Sequence, residues 1–201
     1  MNYFAHLALA RPTPASKVGN LLGDFMRGVR EDELPAPVRQ GLRNHRLVDR
    51  LTDHHPPVRD SRRLFAAPRR RFAGVALDVL FDHFLVRHWA RFHDRPLDAA
   101  LDDDYHLLRA GEPLMPADMR AVVDRMVSQD WIRRYAELDT VGRALDRIAA
   151  RVRFANRFQG CQVDIERHYR ELEAVFLDLY PRLQRAVAEQ ALEASGPPTE
   201  G

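Results

Sequence analysis

Several side chains in the first half of this chain have the types and spacing to hold a cation or move a proton. Asp78 and Asp82 stand four residues apart, hence on one face, inside FAGVALDVLFDHFLVRHW (72–89), with His83 next along. Apolar residues surround that segment on every side, and a helix apolar all round is a buried one. A buried carboxylate without compensation is strongly unfavourable, and two so close repel each other. A bound cation or a shared proton relieves the repulsion. A pair of Asp–Arg bridges is the other solution, readily supplied by a chain with 30 arginines and a single lysine, Lys17.

More ligand-type residues lie upstream. His45-x-x-x-Asp49-x-x-x-Asp53 places three candidates on consecutive turns of one stripe, with Leu47, Val48 and Leu51 on the other side. Imidazole and carboxylate at i and i+4 can share a metal ion, although a solvated face paired with Arg46 and Arg50 explains the stripe equally. GNLLGDFMRG carries Asn20 and Asp24 at the same spacing among apolar neighbours, flanked by Gly19, Gly23 and Gly28. Glycines there lower helix propensity unless close packing against a ligand or helix requires them. His6 is the lone polar side chain inside NYFAHLALA. Singly, each residue reads as ordinary structure. Together, four helices each bring at least one buried-type His or Asp, as a helical metal site requires. Imidazole and carboxylate without thiolate suit catalytic Mn, Fe, Mg or Zn, and such centres serve phosphoester hydrolysis.

The elements that must position these residues read as helices throughout, with no β-branched alternation. Helices are expected at Asn2–Ala10, Ala15–Arg27, from Pro35 to about His54, and at Val58–Ala66. Pro68 opens the central helix, which runs to Trp89, and Asp94-Arg95-Pro96 closes it. Further segments follow at Leu97–Leu108, Ala117–Val127, Trp131–Glu137, Val141–Phe158 and Asp164–Ala194, the last with Pro181 as a potential kink. The expectation is one all-α domain over 1–194 and a disordered polar tail over 195–201.

Composition narrows the class. The chain has 201 residues, 45% hydrophobic and 30% charged, with a net charge of +2, as a soluble globular domain has. No apolar run is long enough for a transmembrane helix, and the N-terminus lacks signal-peptide features. The single cysteine, Cys161, excludes an intramolecular disulfide, fits a reducing cytoplasm and reads as an inert thiol. No G-x-S-x-G elbow and no nucleic-acid module occurs. The one His-Asp dipeptide, His93-Asp94, reads as a helix end before Pro96. Arginines cluster at Arg59, Arg62, Arg63, Arg69, Arg70 and Arg71, a patch that suits an anionic partner or a solvated face.

MNYFAHLALA, GNLLGDFMRG, NHRLVDRLTD, LDVLFDHFLVRHW and HYRELEAVFLDLYPRL occur in this order. They resemble the acyl carrier protein phosphodiesterases, also called acyl carrier protein hydrolases, from Met1 to about Ala191. The resemblance implies an all-α, HD-like fold and manganese-dependent release of 4′-phosphopantetheine from the serine of holo-acyl carrier protein, with Mg²⁺ or Fe²⁺ as alternative ions. Carried over residue by residue, the family's motif positions fall on His6, Asp24, His45, Asp49, Asp78, Asp82 and His83. The expected metal ligands are Asp24, His45, Asp78 and Asp82, with Asp49. His6 and His83 are expected to orient water or to protonate the leaving serine oxygen. The carrier protein is small and acidic, so Arg27, Arg62 and Arg63 are expected docking residues, and no nucleic acid or membrane partner is expected. A phosphohydrolase of nucleotides or small phosphodiesters, and a non-enzymatic helical module for an acidic partner, are the competing readings.

Overall fold

The structure, a computed structural model, describes residues 1–152 and 157–194; among them are twelve α-helices and no strand. The chain is all-α, as its periodicity predicts. The tail expected over 195–201 lies outside the described residues.

Helix α1 (Tyr3–Ala8) is short and nearly all buried, and α2 (Pro14–Leu22) follows a turn at Arg11–Thr13. Thr13 caps α2 by accepting from the Ser16 amide, and Pro14 fills the first turn, where no N–H partner is needed. Helix α3 (Ala36–His54) is the long partner of α2. The two touch backbone to backbone: a Cβ on Gly19 would lie 2.3 Å from the Val38 carbonyl oxygen, and one on Gly41 would lie 2.9 Å from the Gly19 Cα. Close packing is thus what the Gly19 position serves. Helix α4 (Pro56–Ser61) begins at the proline pair that stops α3.

The central helix α5 (Ala73–Arg87) buries Ala76, Leu77 and every residue from Val79 to Val86, and one hydrophobic cluster surrounds it. Each fully buried large apolar side chain contributes about 1.5–3 kcal/mol, so α5 anchors the core. Around it lie α6 (Trp89–Phe92), α7 (Leu97–Ala110), α8 (Ala117–Ser128), α9 (Trp131–Arg134), α10 (Leu138–Arg151), α11 (Gln162–Arg167) and α12 (Tyr169–Gln190).

Several boundaries differ from expectation, each for a local reason. Helix α2 tightens into a 3-10 turn at Gly23–Phe25 instead of reaching Arg27, and Gly28 then turns the chain in the left-handed region at φ 77°. The central helix starts at Ala73, because Arg69 just before it is held by Asp164 in a two-point ion pair at 2.7 and 3.1 Å. It ends at Arg87, and His88 separates it from α6. The C-terminal segment divides at His168 into α11 and α12, and α12 runs on through Pro181. The helix expected over Val141–Phe158 ends at Arg151, and 153–156 lie outside the described residues. Lys17, the only lysine, is buried and pins α2 to α7 through Asp104 at 2.6 Å and to α1 through the Leu7 carbonyl at 2.7 Å.

Candidate metal centre

Three of the expected residues converge. His6 on α1 and His45 on α3 stack their rings at 4.0 Å between centroids, 19° from parallel. Asp49, one turn beyond His45, reaches both: its Oδ2 lies 3.0 Å from His45 Nε2 and its Oδ1 3.1 Å from His6 Nε2. One donor atom from each residue falls within 4.8 Å of the other two. His6 is completely buried; its Nδ1 has no hydrogen-bond partner among the described residues, and its Nε2 has only the Asp49 carboxylate, at 3.1 Å. A buried ring nitrogen without a partner is unfavourable in a protein alone, and ligation by an ion would remove the deficit.

The charge states are complementary. Burial lowers the His6 pKa to about 4, against the pull of Asp49, so its ring is neutral at pH 7. Burial opposes the charge of His45 as well, but the hydrogen bond and charge of Asp49 prevail and raise its pKa. Asp49 pays for its own burial with bonds from both imidazoles, which hold its carboxyl well below the usual range. The donor set is therefore neutral nitrogen, titratable nitrogen and carboxylate, which suits Mn, Fe or Zn.

Two more expected residues border this group. Asp78 accepts from the amino group of Met1 at 2.9 Å, and the same amino group lies 3.4 Å from Asp49. Asp24 reaches the surface beside them. Burial raises its pKa, with His45 opposing and the charges of Asp49 and Asp78 adding to the rise. Among the described residues neither Asp78 nor Asp82 is paired with arginine.

Asp82 and His83 have other partners. Asp82 is fully buried and caps α1: Oδ2 accepts from the Phe4 amide at 2.9 Å and Asn2 Nδ2 at 3.0 Å, and Oδ1 accepts from the Ala5 amide at 3.0 Å. First-turn amides lack helical acceptors, so this carboxylate satisfies α1's start. Its burial lifts the carboxyl to about 7 despite those bonds. His83 donates Nδ1–H to the Tyr135 carbonyl at 2.6 Å and receives the Tyr169 hydroxyl at Nε2 at 2.8 Å. Both its nitrogens are used, away from the His6–His45 pair. Asp53, the third residue of the α3 stripe, is exposed and paired with Arg62 at 3.0 Å. His93 stacks on Trp89 and bonds Tyr180, as a structural helix-end residue does. Cys161 is buried with its thiol pushed up to about 12, an inert state.

The arginine cluster is partly neutralised. Arg62 pairs with Asp53, Arg63 with Asp60 at 3.5 Å, and Arg69 with Asp164. Arg27 is exposed and has no ion pair among the described residues. Burial raises the Tyr3 and Tyr135 hydroxyls well above the ordinary range, with smaller opposing charge effects from Arg151 and Arg125 on Tyr3 and from Arg147 on Tyr135. Sequence reasoning passed over these three arginines, Tyr3, and Asn44, the neighbour of His45. Nothing in their spacing marks them, because they arrive from separate helices.

The structure is an all-α protein in which His6, His45 and Asp49 form a cluster that could hold a divalent ion. The family model described as "Acyl carrier protein phosphodiesterase" matches residues 1–183. An acyl carrier protein phosphodiesterase of Salmonella agona (strain SL483) is 36% identical over 193 residues, covering 96% of this chain and 100% of the relative. Its namesakes in Escherichia coli O157:H7 and in Escherichia coli strain K12 / DH10B are 35% identical over the same spans. The chain belongs to the acyl carrier protein phosphodiesterase family. No solved structure matches it.

Proposed function

We propose that this protein hydrolyses the phosphodiester joining 4′-phosphopantetheine to the serine of holo-acyl carrier protein, using a divalent ion, Mn²⁺ foremost, on His6, His45 and Asp49. Family membership along 96% of the chain supports the reaction class. The observation that carries the metal reading is the convergence of the completely buried His6 with His45 and Asp49, one donor atom from each within 4.8 Å of the other two. An ion bound there supplies Lewis-acid chemistry, lowering the pKa of water and neutralising phosphoryl charge.

The chain's own residues prepare for that ion. His6 is neutral and Asp49 ionised at pH 7, the states in which each can donate electrons. Asp24 and Asp78 border the pocket and extend its negative rim, which attracts a cation. Asp82 and His83 act beneath the site, one holding α1 and the other joining α5 to Tyr135 and Tyr169. We place docking of the acidic carrier protein on Arg27, with Arg125, Arg147 and Arg151, ahead of the carboxylate-bound Arg62 and Arg63. No helix among the described residues is long and apolar enough to cross a membrane. The reading implies one catalytic unit over 1–194 working in the cytoplasm.

The test is mass spectrometry of holo-acyl carrier protein incubated with this protein in Mn²⁺ or in chelator. Loss of the whole phosphopantetheine mass with Mn²⁺ alone supports the reading. A carrier protein of unchanged mass under every divalent ion overturns it, and turnover of nucleotides in its place reassigns the substrate.

A further inference from the structure

Gly19 and Gly23 stand four residues apart at the end of α2, and Gly41 and His45 stand four apart on α3. The first members of the two pairs are in backbone contact, and one turn further Gly23 faces His45. A Cβ on Gly23 would come within 2.1 Å of both Cδ2 and Nε2 of the His45 ring. The backbone of Gly23 is ordinary right-handed, at φ −53° and ψ −32°, which any residue adopts. The glycine is thus required by the imidazole and not by its own conformation.

The other side of the ring is equally determined. His45 Nδ1 lies 2.8 Å from the Asn20 carbonyl oxygen, and a carbonyl only accepts, so Nδ1 carries the hydrogen. That carbonyl belongs to the last turn of α2, where carbonyls lack a full helical partner. Asn20 itself is immobilised: its Oδ1 accepts from Asn44 Nδ2 at 2.9 Å, and its Nδ2 donates to the Ser16 carbonyl at 3.0 Å and to Glu193 Oε1 at 2.8 Å. Nε2 is left facing Asp49 and His6.

We infer that Gly23 is a positioning residue: the space left by its missing side chain, with the Asn20 carbonyl opposite, holds His45 in the Nδ1–H form with Nε2 turned toward a divalent ion. The inference rests on the metal reading above. It assigns the slot to a ligand-orienting role, as partners of metal-bound histidines have.

The experiment compares wild-type protein, Gly23→Ala, and Gly74→Ala, the last a helical glycine whose nearest neighbour to an added Cβ is Arg62 Nη2 at 3.7 Å. Three quantities are measured: Mn²⁺ affinity by calorimetry, the His45 tautomer by imidazole ¹⁵N NMR on ion-free protein at a pH high enough that the ring is neutral, and the ion-free melting temperature. Gly23→Ala is expected to bind Mn²⁺ about 10–100-fold more weakly and to lose the Nδ1–H signature while keeping its melting temperature. Gly74→Ala is expected to match wild type in affinity and tautomer. Unchanged affinity and tautomer in Gly23→Ala overturn the inference, as does a fall in affinity accompanied by general unfolding. Wild-type protein that binds no Mn²⁺ overturns the metal reading, and the tautomer comparison then decides the positioning role by itself.

Discussion

Replacing Gly19 by alanine places a Cβ 2.3 Å from the Val38 carbonyl oxygen, about 1 Å short of ordinary contact, with Gly41 Cα at 2.9 Å and the Leu42 amide nitrogen at 3.1 Å. All three obstacles are backbone atoms of α3, so no rotamer change relieves them, and α2 and α3 must move apart. Overpacking of this kind destabilises by about 1–3 kcal/mol. Alanine returns roughly 0.5–1 kcal/mol of helix propensity relative to glycine. The net expectation is a loss of about 1–2 kcal/mol, which in a protein of this size lowers the melting temperature by roughly 2–8 °C. Thermal and urea denaturation measure it, with Gly74→Ala as the reference. There the nearest neighbour is an arginine tip at 3.7 Å, and the same change is expected to stabilise by up to about 1 kcal/mol. Because the crossing also sets the distance from α2 to His45, Gly19→Ala should weaken Mn²⁺ binding as well. A Gly19→Ala protein as stable as Gly74→Ala refutes the backbone contact and the helix spacing built on it.

Other perturbations separate the residues of the centre. Asp49→Asn removes a carboxylate that reaches both imidazoles and should reduce Mn²⁺ affinity by more than the about 10–100-fold typical of outer partners. Asp53→Asn, one turn along the same stripe, should leave affinity unchanged, and calorimetry that ranks the two alike contradicts the assignment. Asp82→Ala orphans the Phe4 and Ala5 amides, each at about 1–3 kcal/mol, so a distinct drop in melting temperature is expected even after relief of a buried charge; an unchanged value counts against the capping role. The pH dependence has a definite sign. The His45 pKa is raised above 6.5, so its pairing with Asp49 stabilises fully below 6.5 and is lost as pH rises through the raised value. Asp82 moves from 3.8 to about 7, so its contribution is complete below 3.8 and is lost as pH approaches 7. Both slopes run downward, while the lowered pKa of His6 gives an upward slope that is complete by about pH 6.5, so the melting temperature of ion-free protein should fall from about pH 6.5 to pH 8. The rise produced by Mn²⁺ should grow over the same interval, as protons cease to compete for His45. An Mn²⁺ effect that shrinks with pH speaks against His45 as a ligand. Electrostatic docking adds that KM climbs with ionic strength, whereas a flat KM rejects the arginine surface.

Periodicity alone determined that this chain is helical and that the segment around Leu77–Val86 is its core, and it placed His45 with Asp49 and Asp78 with Asp82 on shared helix faces. Those conclusions rest on local physics: apolar residues repeating around a helix must be buried, and i, i+4 spacing places side chains on one face whatever the surroundings. The same spacing put Asp78 and Asp82 on one face of α5 but was silent about depth. Asp78 reaches the surface beside Asp49, with its side chain 42% exposed, while Asp82 lies at full burial under the start of α1. A helical repeat of 3.6 residues specifies direction around an axis and carries no information about what packs above each turn. Likewise His83 has the right type and the wrong neighbours, because Tyr135 and Tyr169 come from distant segments to occupy both its nitrogens. The glycines of GNLLG signalled close packing in the sequence, but only the crossing of α2 over α3 decided that Gly19 meets a backbone and Gly23 an imidazole. Residue type and spacing are properties of one helix at a time, whereas a metal pocket is a property of where several helices meet.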